Sequence, residues 1–266
     1  MPRVSVIMGV YNGEYRLRKA VESIIGQTFG DFEFIICDDC STDNSYAVLE
    51  KLRRKDDRII LMKNDVNMGL AHTLNNCLKV AEGEYIARMD DDDYSHPARF
   101  EKQVNFLDKH DKYAIVGTAV NMYDESGVWG KRVIGDEVSP LSIYKGHTFV
   151  HPSVMMRRSA VSSVNNYSVD KRIGRTEDLD LWVKLYYAGY IGYNLKDVLL
   201  DYYEGKSSYK KRKYKYRIDE YKIKKKARKL LNIPAKYAIF EFKPLIIGLI
   251  PGRLIKWYHS KKFNQI

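Results

Sequence analysis

Cysteine is scarce in this chain of 266 residues. There are three, Cys37, Cys40 and Cys77, and an odd, small set argues against a disulfide framework. Cys37 and Cys40 form a C-x-x-C. A closed zinc site wants a second such pair, which is missing, and a redox pair ordinarily opens a helix instead of bracketing two aspartates. Long apolar runs are missing as well: no stretch of about eighteen apolar residues occurs, so no membrane-spanning helix is expected. The N-terminus opens directly into strand-like sequence with no charged segment and cleavage site before it, and the expected location is the cytoplasm. Internal repeats are absent, and low-complexity sequence is absent until a Lys/Tyr-rich stretch after Gly205. What is present in quantity is core material, 45% hydrophobic and 12% aromatic residues, so disorder is not the expectation.

Acidic residues are also missing from one end. Residues 206–266 hold 3 Asp and Glu against 19 Lys and Arg, whereas residues 1–205 hold 31 against 26. The overall charge of +11 therefore divides into −5 for the body and +16 for the tail. A basic tail on an acidic body points to a partner with a negative surface, either anionic lipid or nucleic acid. The expected organisation is a domain over 1–205 and a basic, amphipathic helical extension over 206–266. Tyr214, Ile218 and Tyr221 recur at helical spacing, and the apolar stretch at 237–251 is broken by Glu241, Lys243, Pro244 and Pro251. It is too interrupted to span a bilayer and suited to lying in its interface.

Over the first hundred residues, apolar strand-like runs at 4–10, 32–37, 59–62 and 85–89 alternate with amphipathic stretches at 15–25, 46–52 and 70–80. Such βαβα order predicts an α/β fold with a mostly parallel central sheet covered by helices. Turn and cap residues mark the connections, as in Asn12-Gly13 and Ser41-Thr42-Asp43-Asn44. Beyond residue 93 the alternation weakens, with a helix expected at 97–107, strands at 114–120 and 153–156, a hairpin at 123–134 and a helix at 178–187. In open sheets of this kind ligands bind beyond the carboxyl ends of the strands, where the polar clusters of this sequence fall.

The sharpest cluster is Arg88-Met89-Asp90-Asp91-Asp92-Asp93, four carboxylates directly after an apolar strand. Adjacent aspartates repel one another and call for a cation, and hard ions such as Mg²⁺ or Mn²⁺ take carboxylates together with substrate phosphates. A solvated acidic turn is the bland alternative. A second strand ends in Cys37-Asp38-Asp39-Cys40-Ser41-Thr42-Asp43, where capping accounts for Ser41, Thr42 and Asp43 but not for the paired aspartates. A third, Val10-Tyr11-Asn12-Gly13, offers an aromatic face and an amide suited to a base. Arg175-Thr176-Glu177-Asp178-Leu179-Asp180 places acids at a helix start, where they either complement the macrodipole or supply a general base. His147 and His151 read as structural.

These segments, taken in order, resemble the family 2 glycosyltransferases with the GT-A fold, especially those that build bacterial surface polysaccharides. The resemblance runs over about residues 3–203 and includes Gln27-Thr28-Phe29, Asn67-x-Gly69, Pro97-x-Arg99, His151-Pro152-Ser153-Val154-Met155-Met156-Arg157 and Leu181-Trp182. It implies a Rossmann-like nucleotide-sugar-binding domain in which Tyr11, Asn12 and Asp39 hold the uracil of a UDP donor. The segment from Asp90 to Asp92 would match the D-x-D motif, with Asp90 and Asp91 toward the nucleotide, and Asp92 and Asp90 toward Mn²⁺ or Mg²⁺. Asp178 matches the catalytic base of an inverting transfer. The chain departs from the common pattern at Gly9, Cys40 and Asp91. The implied donor is a UDP-hexose or UDP-N-acetylhexosamine. The implied acceptor is a hydroxyl of a glycan or a polyprenyl-diphosphate-linked sugar, with the tail on an anionic membrane surface at the inner face of the cell membrane. A nucleotidyltransferase would show a Gly-rich basic loop after its first strand, which Tyr11-Asn12-Gly13-Glu14 is not. A nucleic-acid-binding protein leaves the acidic clusters without a role, and a non-catalytic sugar-nucleotide binder leaves the metal and base positions filled without purpose.

Overall fold

The computed structural model describes residues 1–170, 173–205, 214–251 and 254–255. Its sheet is built from β1 (Val4–Val10), β2 (Phe32–Asp38), β3 (Ile59–Lys63), β4 (Tyr85–Arg88), β5 (Tyr94–Ser95), β6 (Tyr113–Asp124), β7 (Gly127–Arg132), β8 (Asp136–Val138), β9 (Met155–Arg157) and β10 (Ile191–Tyr203). The strand order is β3-β2-β1-β4-β9-β6-β10-β5, with β7 on β6 and β8 on β10. The first four strands pair in parallel, as the alternation predicts, and β6 and β10 form a further parallel pair. Antiparallel pairing enters with β9, wedged between β4 and β6, so the sheet as a whole is mixed.

Strand β1 shows why this half of the sheet is central. Six of its seven residues are buried, as befits a strand covered on both faces. Side chains alternate across a strand, and the two faces of β1 feed two cores: Val4, Val6 and Met8 enter one, Ile7 the other. Helix α1 (Glu14–Ile25) covers the first face with Leu17, Ala20, Val21 and Ile24, spaced i, i+3, i+4, i+7. Burial of each large apolar side chain stabilises the fold by roughly 1.5–3 kcal/mol. On the second face α3 (Leu70–Val80) contributes Leu74 and Cys77, and α7 (Glu177–Tyr187) contributes Leu181 and the fully buried Trp182. Helices α2 (Ser45–Arg53), α4 (Arg99–Lys109), α5 (Pro140–Lys145) and α6 (Arg158–Ser163) complete the layers.

The start of α1 has no side-chain cap of its own. Two of its free amides are instead satisfied from the head of α2 and the loop before it: Gly13 N donates to Ser45 Oγ at 2.9 Å and Glu14 N to Asp43 Oδ2 at 3.2 Å. Adjacent strand ends are thereby tied together.

Past residue 213 the chain forms α8 (Tyr214–Leu230) and α9 (Ile239–Gly248). Within the expected extension the side that α8 turns inward is not the Tyr214, Ile218, Tyr221 stripe: Tyr214 and Ile218 are exposed, while Ile223 and Ala227 join the core around Trp182. Lys224 is buried with Glu220 3.7 Å away, and Lys226 lies 3.6 Å from the buried Asp180 of α7. Segments 206–213 and 256–266 of the expected tail lie outside the described residues. Among the described residues no helix is long and apolar enough to cross a membrane.

Candidate active site

The parallel register aligns three polar strand ends. Val10 stands opposite Asp38 and Ile7 opposite Arg88, so the loops after β1, β2 and β4 emerge side by side. Asp39 N donates to Val10 O at 2.7 Å and Met89 N to Ile7 O at 3.2 Å, extending the sheet's bonding into the loops. Between them opens a cleft of about 1020 Å³ lined by Tyr11, Asn12, Asp39, Asp90, Asp91 and Asp92, with Met68, Gly69, Glu177 and the β10 end, Tyr202 to Glu204, opposite.

Each residue is held in a specific way. Asn12 takes a left-handed backbone, φ 54°, a conformation that asparagine tolerates better than most residues. Its Oδ1 accepts from Thr42 N at 2.8 Å, and its own N donates to Ser41 Oγ at 3.0 Å. Tyr11 beside it is 48% exposed and lines the cleft. Asp39 is buried, and its carboxylate accepts from Met68 N, Gly69 N and Asn64 Nδ2, all at 2.8 Å. A carboxylate offers about four lone pairs, so this brace of the 64–69 loop leaves room for one more donor.

The acidic run divides. Carboxylate oxygens of Asp90, Asp92 and Asp93 lie within 4.8 Å of one another. Asp91 turns instead against Gly13, where a β-carbon would stand 2.3 Å from its Oδ2. Burial first, then the charges of Asp92 and Asp90, push the Asp91 carboxyl up to about 8. Asp93 accepts from Tyr203 N at 2.8 Å through Oδ1, while its buried Oδ2 has no hydrogen-bond partner, and burial pushes its carboxyl well above the usual range. Asp90 pairs with the buried guanidinium of Arg88. From behind, the buried Arg99 donates to Arg88 O at 2.8 Å and Val154 O at 3.3 Å, fixing the strand end from which the run departs. Three converging carboxylates, one with an unpartnered buried oxygen, are a hard oxygen donor set that fits Mg²⁺ or Mn²⁺.

Asp178 does not line this cleft. It faces an adjoining cavity of about 380 Å³, together with Arg132, His151 and Glu220, and the two spaces share Leu70, Asp90, Arg175, Glu177, Tyr202 and Tyr216 as walls. Burial raises the Asp178 carboxyl; its Oδ1 accepts from Leu179 N at 2.7 Å, which opposes the rise. Glu177, at the head of α7, borders both spaces and is pushed up to about 7 by burial and by Asp178. His151 hydrogen-bonds Tyr167 Oη at 2.8 Å, and burial together with Arg88 holds its imidazole well below its ordinary range. Asp180 turns inward, accepting from Ser168 Oγ at 2.6 Å.

Sequence reasoning counted Asp93 in the acidic run without giving it a ligand role, and passed over Glu177 as a shared wall and the Tyr202 to Glu204 strand end. The last carried a signal, the apolar and aromatic run from Val198 to Tyr203.

The family described as Glycosyl transferase family 2 matches residues 5–164. EpsE of Bacillus subtilis (strain 168), which carries a glycosyltransferase name, is 41% identical over 266 residues, covering 99% of this chain and 96% of its own length. WfaP of Escherichia coli, a UDP-Glc:alpha-D-GlcNAc-diphosphoundecaprenol beta-1,3-glucosyltransferase, is 32% identical over 187 residues, 70% of each chain. Among solved structures, S. aureus TarS 1-349 in complex with UDP superposes with a TM-score of 0.69 at 22% identity, covering 93% of this chain and 70% of that one. The mannosyltransferase PcManGT from Pyrobaculum calidifontis, in complex with GDP-Man and Mn2+, gives 0.64 at 18% identity, covering 98% and 80%. These likenesses show an α/β GT-A fold with a mixed central sheet, and together with the matched segment and the relatives above they establish that the chain belongs to glycosyl transferase family 2.

Proposed function

We propose that the chain is an inverting, metal-dependent glycosyltransferase of cell-surface polysaccharide synthesis. It moves a sugar from a UDP-hexose or UDP-N-acetylhexosamine to a hydroxyl of a glycan or polyprenyl-diphosphate-linked acceptor, at the inner face of the cell membrane. The observation that carries this reading is one cleft walled by Tyr11, Asn12, Asp39 and Asp90 to Asp92, with Glu177 at the wall it shares with a second cavity and Asp178 lining that second cavity.

Tyr11 stacks on the base, and Asn12 and Asp39 bond its edge. Asp90 and Asp91 face the ribose and diphosphate, and Asp92 with Asp90 would hold Mn²⁺ or Mg²⁺, Asp93 completing the set. When bound, the ion neutralises charge on the departing diphosphate. The acceptor occupies the second cavity, where Asp178 takes the hydroxyl proton as the oxygen attacks the anomeric carbon from the face opposite UDP. A single displacement inverts the anomeric configuration. A carboxyl raised by burial is a better base near neutral pH than an exposed one, and such a base contributes on the order of 10²-fold or more in rate. Glu177 is the second candidate for this role, because it borders both spaces and titrates near 7.

The experiment is a donor-hydrolysis screen over UDP, GDP and dTDP sugars with Mn²⁺ present. Turnover confined to UDP sugars and lost in Asp92→Ala supports the reading. Turnover of GDP sugars alone contradicts the donor assignment, and full turnover in excess EDTA contradicts the metal.

A further inference from the structure

We infer that helix α9 docks on an anionic lipid surface, its outward apolar face entering the headgroup layer beside an exposed lysine row of α8. The inference takes its purpose from the lipid-linked acceptor proposed above, and deepens that reading by naming the face that meets the membrane.

Helix α9 is packed inside out. Its acid, Glu241, is buried and forms an ion pair with Arg228 of α8, and Pro244 is buried as well. Ile239, Phe242 and Ile246, with Leu249 and Ile250 just beyond the helix, stand outward, between 40% and 75% exposed. Their spacing, i, i+3, i+7, i+10 and i+11, makes a single stripe, and a helix facing water carries the reverse pattern. Ten residues rise about 15 Å, half the hydrocarbon thickness, so this helix lies in an interface and does not cross it.

The choice of occupant comes from charge. Phe242 of the stripe meets Tyr221 of α8 with ring centroids 5.4 Å apart. Lys225 lies one turn beyond Tyr221 on the same side of α8. Lys222, Lys225 and Lys229 run with Ile218 along the exposed face there, and Lys225 and Lys229 have no ion-pair partner among the described residues. A second copy of the chain would set lysine row against lysine row. A bilayer with anionic headgroups accepts the apolar stripe and the lysines together, each lysine strengthening attachment about fivefold.

The test is co-sedimentation of the full chain with phosphatidylcholine vesicles, with and without phosphatidylglycerol. The variants are the triple substitution Ile239→Asn, Ile246→Asn, Leu249→Asn, and the triple substitution Lys222→Gln, Lys225→Gln, Lys229→Gln. Lys224 and Lys226 are left intact because they pair with Glu220 and Asp180. The wild type is expected on phosphatidylglycerol-containing vesicles, with partitioning at least about tenfold weaker in the asparagine variant. The glutamine variant should lose most of the salt-sensitive part of binding. Unchanged UDP affinity in both variants shows that the fold and the cleft survive. No binding by the wild type, or full binding by the asparagine variant, overturns the inference. So does a wild-type dimer that the asparagine variant dissociates, since a second copy then covers the stripe. Donor hydrolysis in solution, measured alongside, separates failure of docking from failure of the proposed activity.

Discussion

Asp91 rests against Gly13 so closely that a β-carbon on the glycine would stand 2.3 Å from the carboxylate Oδ2 and 3.0 Å from Cγ. The backbone of Gly13, φ −103° and ψ 8°, is open to alanine, so the obstacle is the neighbour and not the conformation. Gly13→Ala is expected to remain folded, with Tm within a few degrees of wild type, and to push the Asp91 side chain from its place. Affinity for UDP should fall about tenfold, near 1.4 kcal/mol. Calorimetric titration beside a melting curve checks both halves, and unchanged affinity would mean that Asp91 does not shape the donor site.

Glu177 stands in the wall between the two spaces and Asp178 lines the second alone, and substitution separates their roles. Asp178→Asn keeps size and most hydrogen bonds but cannot accept a proton. It should bind UDP normally and lose on the order of 10²-fold or more in kcat. Glu177→Gln should cost less. If Asp178→Asn transfers sugar at the wild-type rate while Glu177→Gln does not, the base is Glu177.

Burial raises Glu177 from 4.5 to about 7, and this has a sign in stability. A carboxyl whose folded value lies above its unfolded one contributes stability that is complete below the unfolded value and is lost as pH rises through the folded one. The unliganded protein should therefore melt at lower temperature above about pH 7 than near pH 4.5 on this group's account. Each 1 kcal/mol moves Tm by about 2–4 °C in a chain of this size. Glu177→Gln should flatten the dependence without abolishing it, since Asp91 adds a shift of the same sign. Thermal melts across that window check it, and an undiminished slope in the variant contradicts the burial of Glu177 as its source.

Asp180, two residues past the proposed base, serves packing. It accepts from Ser168 and lies near Lys184 and Lys226, joining α7 to α8. Removing one partner of a buried charge network is costly, so Asp180→Asn should lower Tm by several degrees while leaving UDP affinity unchanged. A loss of affinity at constant Tm would move Asp180 into the site.

What could be read from sequence was local. The apolar runs at 4–10, 32–37 and 85–89 announced parallel strands, and the polar residues after them announced the edge where a ligand binds. Asp39 shows the limit. Its carboxylate is held by amides 29 and 30 residues away, a bond between loops that no periodicity encodes. Strand β10 was hidden for a related reason: its pairing with β6 shifts register around Leu195 and Val198, which blurs the alternation of a strand. The lysines of α8 read alike in sequence, yet burial and pairing set Lys224 and Lys226 apart from Lys225.

The central claim is that the aspartates after β4 bind a sugar nucleotide through a divalent ion, and titration of UDP by calorimetry tests it most directly, with wild type and Asp92→Ala each in Mn²⁺ and in EDTA. Binding by the wild type in Mn²⁺ that falls at least about tenfold in EDTA, and equally in Asp92→Ala with Mn²⁺ present, is the expected result. Equal affinity for UDP in Mn²⁺ and in EDTA, undiminished by Asp92→Ala, would contradict it.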